Sequence, residues 1–372
     1  MKKILFFIPA LDGGGAERVF IHIMNNLDRE RFSVHLALLR KQGAFMSELR
    51  TDITVHELRT NLTGAFFKVP PCIVSVRPDI ILSTICYMNM VVGFSRLFAR
   101  RTHALFCARE SGMPSVRIKI SKSVWNARWL YRTSYRYIDF IVCQSNEMRD
   151  DVHECYHVPY SKIITINNPV DVDEIGRRAT EEEQAGFIPD RINVLAIGRL
   201  NPVKGFDMLL RAMERTTNPR LHLHILGKGE LGDGLEQLTA DLGIGDRVTF
   251  HGFKSNPYPY MRAADVYVLT SWYEGFPNAA VEALSLGCPV LAFACPGGIN
   301  ELIEQGINGL VIPLGDIDAL AKELDRGAYL EFDRHRIRER VAHRYNITAI
   351  LSQYEDLFER GGAVQEQYHE YH

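Results

Sequence analysis

Two glutamates, Glu274 and Glu282, lie eight residues apart in the otherwise largely apolar stretch SWYEGFPNAAVEALSLGCPV. The pattern predicts a strand, a loop that carries Glu274, and a helix that carries Glu282 and is capped by Asn278. The start of such a helix has backbone N–H groups available to an anion. A carboxylate one turn into the helix can accept hydrogen bonds from two vicinal hydroxyls, such as those of a ribose, and Glu274 can accept from sugar hydroxyls. The alternative for Glu282 is stabilisation of the helix dipole by an acid in its first turns.

Two cations, Arg199 and Lys204, follow a predicted strand in the stretch IGRLNPVKGFDML and precede a predicted helix. A forked guanidinium and a point charge near a helix N-terminus together match the two charges of a diphosphate. The alternative, a solvated Arg and Lys on a surface turn, fits the two cations alone equally well.

Three consecutive glycines, Gly13, Gly14 and Gly15, follow the first predicted strand. Without Cβ atoms the backbone can approach an anionic ligand and donate from its N–H groups. Contiguous glycines do not match the G-x-G-x-x-G spacing of a dinucleotide fingerprint, which argues against a dehydrogenase. As an isolated signal, a plain tight turn is the stronger interpretation.

The elements that must position these loops are short apolar runs that alternate with helical patterns along the chain. This alternation predicts an α/β fold with parallel sheets covered by helices on both faces. The rhythm restarts after a stretch near 168–190 that contains Pro169, acids at 181–183 and Gly186. We therefore predict two doubly wound Rossmann-like domains, 1–168 and 169–345, followed by a C-terminal helix at 346–362 that crosses back to the first domain. Ligands of such sheets bind beyond the carboxyl ends of the strands.

Composition narrows the classes of protein further. The chain has 372 residues, 46% hydrophobic and 24% charged, as in soluble globular proteins. Its seven cysteines form no C-x-x-C pair, so a zinc site or a disulfide framework is not expected. No apolar run approaches the ~20 residues of a membrane-spanning helix. The net charge of −2 conceals 23 Lys and Arg against 14 acids in residues 1–170, which indicates that the two halves face different partners.

Several motifs together resemble the retaining glycosyltransferases of family 4, in particular bacterial enzymes of glycan or polysaccharide assembly. The resemblance is carried by GGAERV, GRLNPVKGFDMLLRA, HGF, the E-x7-E pair in YEGFPNAAVE, and INGLVIPLGD. It implies the GT-B fold, in which two Rossmann-like domains face a central cleft. The N-terminal domain would serve the acceptor and the C-terminal domain the nucleotide-sugar. The implied reaction moves a hexose or N-acetylhexosamine from a UDP-linked donor to a saccharide acceptor linked to polyprenyl diphosphate.

The resemblance also implies roles for individual residues. Arg199 and Lys204 would bind the diphosphate and stabilise the departing phosphate, which, with Glu274 on the donor sugar, makes these three the catalytic candidates. Glu282 would bind the ribose and Phe253 would lie near the base. No cofactor and no metal are expected, because no D-x-D motif follows a predicted strand. The remaining donor-binding candidates are Gly14, Gly15, Gly275, Phe276, Pro277, Asn278 and Ala279.

Residues 96–136 are strongly basic, with ten Lys and Arg and one acid, Glu110. On a helix over 120–138, one face is apolar and another mixes basic residues with tryptophan, as at the interface of an anionic membrane. We expect peripheral docking on the cytoplasmic face of the cell membrane, and no nucleic-acid partner, since the whole chain is nearly neutral. The alternative is a solvated basic face. The predicted membrane-facing residues are Lys122, Trp125, Arg128, Trp129, Arg132 and Arg136.

The loop CARESGMP, at 107–114, is the acceptor-side candidate through Arg109 and Glu110. A structural pair between these two residues is an equal alternative. Two further functions stay open at this point: a sugar-nucleotide epimerase or hydrolase of the same fold, and a catalytically silent sugar-binding subunit. Consumption of the donor with and without an acceptor separates these alternatives from a transferase.

Overall fold

Two compact units make up the chain, which a computed structural model describes over residues 1–99, 102–116, 124–181, 186–188 and 190–361, with the backbone alone at 124–127 and 360. Unit 1 comprises Met1–Pro169 and the segment that begins at Thr348, and unit 2 comprises Val170–Ile347.

Unit 1 contains a seven-stranded parallel sheet in the order β3-β2-β1-β4-β5-β6-β7. Residues 4–8 of β1 and all of β4 are buried and mostly apolar, as a parallel sheet covered on both faces requires. The order reverses between β1 and β4. The elements are β1 Lys2–Ile8, α1 Gly15–Asn26, β2 Phe32–Leu38, β3 Thr54–Glu57, α2 Ala65–Val76, β4 Ile80–Thr84, α3 Cys86–Ser95, β5 Leu105–Arg109, α4 Val124–Tyr135, β6 Phe140–Cys143, α5 Asn146–Tyr156 and β7 Ile163–Thr165.

Unit 2 contains a six-stranded parallel sheet in the order β10-β9-β8-β11-β12-β13. Successive residues of one strand enter opposite cores: Val194 belongs to one apolar cluster and Leu195 to the other. The elements are α6 Val172–Arg178, β8 Ile192–Ile197, α7 Phe206–Arg215, β9 Leu221–Leu226, α8 Gly232–Asp241, β10 Val248–Gly252, α9 Tyr258–Ala263, β11 Val266–Leu269, α10 Asn278–Ser285, β12 Val290–Phe293, α11 Ile299–Leu302, β13 Gly309–Ile312, α12 Ile317–Arg326 and α13 Arg334–Arg344.

The last described helix, α14 Ile347–Arg360, packs on the sheet of unit 1. Phe358 meets Phe32 edge to face at 6.1 Å, and Glu355 accepts a hydrogen bond of 2.7 Å from Arg31. The Nζ of Lys2 donates to the carbonyl of Phe358 at 3.0 Å. The C-terminal segment is therefore part of the N-terminal unit's structure.

A membrane-spanning segment is not found in the described ranges, where no helix is both long enough and apolar enough to cross a bilayer.

Candidate active site

The loops that carry Arg199, Lys204 and Glu274 follow β8 and β11, the two neighbouring strands at which the strand order reverses. Open parallel sheets bind ligands beyond the carboxyl ends of the strands at such a switch point. The sheet therefore brings Arg199 and Lys204, from the first loop, beside Glu274, from the second.

Lys204 and Glu274 form an ion pair, with Nζ 2.7 Å from Oε1. The hydroxyl of Ser271 donates to the same Oε1 at 2.6 Å. Both side chains are mostly shielded from solvent, with 26% of Lys204 and 11% of Glu274 exposed, so screening of the pair is weaker than on an open surface. The second carboxylate oxygen, Oε2, accepts no hydrogen bond from the residues that the structure describes, which leaves it for a ligand hydroxyl.

Arg199 extends from the same loop with an exposed side chain. Its guanidinium makes no hydrogen bond within the described part of the chain, so its donors are available to an anion. Arg199 and Lys204 thus differ: one cation is open and the other is held by a carboxylate.

Backbone contacts hold the two loops against each other. The N–H of Trp272 donates to the carbonyl of Val203 at 2.8 Å, and the hydroxyl of Thr270 donates to the carbonyl of Lys204 at 3.1 Å. Gly205 has a φ of +59°, and a Cβ on it would overlap the carbonyl of Thr270. The ion pair is therefore built on preformed loops.

A third loop, which follows β12, supports Glu274 from its backbone. The N–H of Glu274 donates to the carbonyl of Pro296 at 2.9 Å. Gly297, with a φ of +123°, lies so close to the carbonyl of Glu274 that a Cβ would overlap it. Helix α11, which follows this loop, has only four residues, Ile299–Leu302, too few for an anion site at its N-terminus.

Helix α10 begins at Asn278, with Pro277 as its N-cap, so the prediction that Asn278 caps this helix was wrong. The N–H of Asn278 donates to the carbonyl of Phe276 at 2.9 Å, and the N–H of Ala280 donates to the carbonyl of Pro277 at 2.9 Å. These turns start the helix one residue earlier than the cap pattern indicates. Glu282 lies one turn into α10 and is half-buried, as expected from the sequence.

The other donor-binding candidates of unit 2 differ in what they can offer. The side chain of Phe276 is 7% exposed and packs 5.8 Å from the ring of Tyr345, so this residue can contact a ligand only through its backbone. The side chain of Phe253, just beyond β10, is 66% exposed and can stack on a planar base. Gly275, next to Glu274 in the chain, and Ala279, in α10, are both half-buried.

The glycine loop of unit 1 already binds a carboxylate of its own chain. Oε2 of Glu17 accepts hydrogen bonds from the N–H of Gly13 at 2.6 Å and of Gly14 at 2.9 Å. Gly15 is the first residue of α1. Because Glu17 occupies the donors that an anion would need, a ligand contact at Gly14 requires this side chain to move. The sequence analysis missed Glu17; its place three residues after the cap is the available signal.

Arg109 and Glu110 are buried, with 1% and 0% exposed. The guanidinium of Arg109 donates to the hydroxyl of Thr84 at 3.4 Å and to Oδ1 of Asn168, and it lies near Tyr354 of α14. Burial lowers the pKa of Arg109. These contacts favour a structural role for Arg109 over contact with an acceptor.

Glu110 is likewise held by its own unit. Its Oε1 accepts from the hydroxyl of Tyr135, and its backbone carbonyl accepts from the side-chain amide of Gln144. Arg109 therefore ties the end of β5 to β4 and to Asn168, whereas Glu110 ties it to α4 and the residue after β6. The acceptor-side role of both residues stays a prediction.

The predicted membrane-facing residues lie on and just after α4. Arg128, Trp129, Arg132 and Arg136 are exposed, whereas Tyr135 and Ile138 are buried in the core of unit 1, as the helical wheel predicts. Lys122 lies outside the described residues, as does the side chain of Trp125.

Metal-binding clusters are not found among the described side chains, where no three His, Cys, Asp or Glu converge. Independence from metal stays a prediction.

Comparisons with known proteins agree with this fold and identify the class. The model for glycosyl transferases group 1 matches residues 177–344, and the model for Glycosyltransferase Family 4 matches residues 13–174. The chain therefore belongs to the family 4/group 1 glycosyltransferases, with the GT-B fold, and is a transferase.

Two named relatives and one solved structure illustrate the likeness. The chain is 27% identical over 351 residues, 90% of this chain and 92% of the relative, to the N-acetylgalactosamine-N,N'-diacetylbacillosaminyl-diphospho-undecaprenol 4-alpha-N-acetylgalactosaminyltransferase of Campylobacter jejuni. It is 27% identical to the lipopolysaccharide core biosynthesis glycosyltransferase LpsE of Rhizobium meliloti, over 88% of this chain and 89% of that one. The crystal structure of Anabaena HepE in complex with UDP-glucose superposes with a TM-score of 0.82 at 22% identity, covering 97% of this chain and 100% of that one.

Proposed function

We propose that the protein is a retaining glycosyltransferase that moves a hexose or N-acetylhexosamine from a UDP-linked donor to a lipid-linked saccharide. The observation that carries this proposal is the cluster of an open guanidinium, Arg199, and the Lys204–Glu274 pair at the switch point of unit 2. The named activity of the Campylobacter relative, on an undecaprenol-linked substrate, and the UDP-glucose bound to HepE support the choice of acceptor and donor.

The cations perform the first part of the chemistry. As the bond between C1 of the sugar and the phosphate oxygen breaks, negative charge develops on the diphosphate. Arg199 donates to it in forked geometry, and Lys204 supplies a point charge. Because the phosphate of the donor and the carboxylate of Glu274 both attract Lys204, the Lys204 ammonium lies between the departing diphosphate and Glu274.

Glu274 and Glu282 position the donor. Oε2 of Glu274 accepts hydrogen bonds from sugar hydroxyls, while Ser271 and Lys204 hold Oε1. Glu282, one turn into α10, accepts from the ribose hydroxyls. In the retaining reaction the acceptor hydroxyl attacks C1 from the face that the diphosphate leaves, and its proton passes to the departing phosphate oxygen. Glu274 thus acts on binding and orientation, not as a nucleophile.

We propose further that the reaction takes place at the cytoplasmic face of the cell membrane, where the protein docks through the basic residues of α4. Exposed Arg128, Arg132 and Arg136 beside exposed Trp129 support this part of the proposal. Flotation with anionic vesicles at low salt tests it, and failure to float contradicts it.

A nucleotide-sugar panel tests the donor. A UDP-hexose or UDP-N-acetylhexosamine is expected to raise the melting temperature more than the corresponding GDP-sugar, and NMR of the product is expected to show the anomeric configuration of the donor. Stabilisation by GDP-sugars alone contradicts the UDP-linked donor. A product with inverted anomeric configuration contradicts the retaining mechanism. Undiminished turnover after removal of divalent ions with EDTA is expected for a reaction that relies on Arg199 and Lys204.

A further inference from the structure

Large apolar side chains are exposed on helix α2 of unit 1. Phe67 is 78% exposed and Val74 is 55% exposed, although Val69 and Ile73 on the same helix are fully buried. Phe67 and Val74 are seven residues apart and therefore share one face of α2. Phe98, just after α3, is 75% exposed. Exposure of such large apolar side chains to water is unfavourable, and an exposed apolar patch marks an interaction surface.

This apolar face lies on the same layer of helices as the basic face of α4. Helix α3 packs between α2 and α4: Phe66 of α2 lies 6.0 Å from the ring of Tyr87 of α3, and a Cβ on Gly93 of α3 would lie 2.6 Å from the carbonyl of Ser134 of α4. Helix α3 is almost entirely buried, and α2 and α4, the two ridges of this layer, carry exposed side chains on either side of it. On the α4 ridge, Nε of Arg128 donates to the carbonyl of Cys155 of α5 at 2.9 Å. We call the exposed residues of these ridges, Phe67, Val74, Phe98, Arg128, Trp129, Arg132 and Arg136, the two-ridge surface.

The charge around the two-ridge surface selects among possible partners. Between residues 60 and 138 the sequence has only two acids, Asp79 and Glu110. Glu110 is buried, and the carboxylate of Asp79 accepts a hydrogen bond of 2.7 Å from the N–H of Lys3. An apolar and cationic surface complements an anionic lipid bilayer, whose headgroups attract cations and whose acyl region accepts aromatic side chains. The neighbouring helix α5 does carry acids, among them Asp150 and Glu154.

We propose that the two-ridge surface docks on an anionic bilayer and that Phe67, Val74 and Phe98 are apolar anchors that enter it. This inference rests on the docking by α4 proposed above. It extends that proposal, because the anchors on α2 and after α3 give unit 1 a second region of contact with the same bilayer. The α4 ridge contributes attraction that salt weakens, and the α2 ridge contributes apolar burial that salt does not remove. Two such ridges also fix the orientation of unit 1 on the membrane, which one helix cannot do.

Co-sedimentation with phosphatidylcholine vesicles, with and without phosphatidylglycerol, tests the anchors. In the double variant Phe67→Ser/Phe98→Ser, each substitution is expected to lower the partition coefficient for anionic vesicles about tenfold. The loss is expected at low and at high salt. The matched control is Leu314→Ser/Leu330→Ser, which removes two exposed apolar side chains of unit 2 and is expected to bind like the wild type. Wild-type partitioning by the phenylalanine double variant overturns the proposal.

Further measurements separate the anchors from the rest of the account. Arg132→Gln/Arg136→Gln is expected to weaken binding at low salt and to change little at high salt. If the arginine variant loses binding and the phenylalanine variant does not, the proposal that Phe67 and Phe98 enter the bilayer is wrong, and docking by α4 stands. Activity on a water-soluble acceptor is expected to be unchanged in both, so a failure of docking leaves the transferase proposal unaffected. A dimer in light scattering that the phenylalanine variant abolishes would assign the surface to a second copy and overturn membrane docking by it.

Discussion

Lys204 and Glu274, 70 residues apart in sequence, lie with Nζ 2.7 Å from Oε1 at the point where the strand order of unit 2 reverses. The cation proposed for the leaving group and the carboxylate proposed for the transferred sugar are thus one unit of structure. This coupling means that a change to either residue affects both binding of the sugar and departure of the diphosphate.

Replacement of Lys204 by alanine is expected to lower kcat by about a hundredfold or more, the usual scale for removing one charge-stabilising group. The loss combines the missing cation with an unpaired Glu274. Steady-state kinetics at saturating donor measure it, and Lys322→Ala, at an exposed position of α12, is the control. Near wild-type kcat would remove Lys204 from this role.

Ser271 is a positioning residue that acts through Glu274. Because hydrogen bonds to a charged group contribute about 1.5–3 kcal/mol, Ser271→Ala is expected to raise KM for the donor about tenfold or more, with a smaller change in kcat. Ser285→Ala is the matched control, since its buried hydroxyl bonds the carbonyl of Glu282 instead. An unchanged KM for the donor would show that Glu274 keeps its place without Ser271.

Gly297 is required both for its backbone conformation and for its close approach to Glu274. Gly297→Ala is expected to lower the free energy of unfolding by roughly 3 kcal/mol or more and to lower activity with it. Gly315→Ala separates the two causes, because Gly315 also has a positive φ, +77°, but has open space at its Cβ. Chemical denaturation measures both variants. An equal loss in the two would mean that strain alone matters and that the contact with Glu274 does not.

A buried histidine network in unit 2 predicts loss of stability in acid. Nδ1 of His224 lies 2.9 Å from Nε2 of His251, and Nε2 of His224 lies 3.1 Å from Oδ1 of Asn193. Burial, followed by the charges of the neighbouring histidines, lowers the pKa of His224 to about 3, and burial also lowers the pKa of His222 and His251.

Because the folded-state pKa lies below the ordinary value near 6.5, protonation favours the unfolded chain. The network's contribution is fully present above pH ~6.5 and declines by about 1.4 kcal/mol per pH unit per histidine as the pH falls toward the folded pKa. Urea unfolding between neutral pH and pH ~4 measures this slope, and His224→Gln is expected to reduce it. A slope unchanged by that substitution would contradict the role of the network.

How far the sequence predicts this molecule can be read from particular residues. The buried strands and the two α/β units follow from apolar runs, and the loops with Arg199, Lys204 and Glu274 follow from the ends of those runs. The pairing of Lys204 with Glu274 does not, because it depends on β8 and β11 being neighbours in the sheet. Ser271 was missed for a related reason: its hydrogen bond depends on a loop conformation that residue type does not specify. Glu17, by contrast, had a signal in its position three residues after the cap. At Asn278 the cap pattern was misleading, because a proline before it begins the helix earlier.

The most direct test of the central claim is mass spectrometry of a polyprenyl-diphosphate saccharide incubated with the protein and a UDP-sugar. The account predicts a product heavier by one sugar residue, with consumption of the donor that depends on the acceptor and is strongly reduced in Lys204→Ala. Donor consumed equally without acceptor would instead indicate an epimerase or hydrolase, and tight binding of the donor with no product on any acceptor would indicate a silent subunit. Either result would contradict the account.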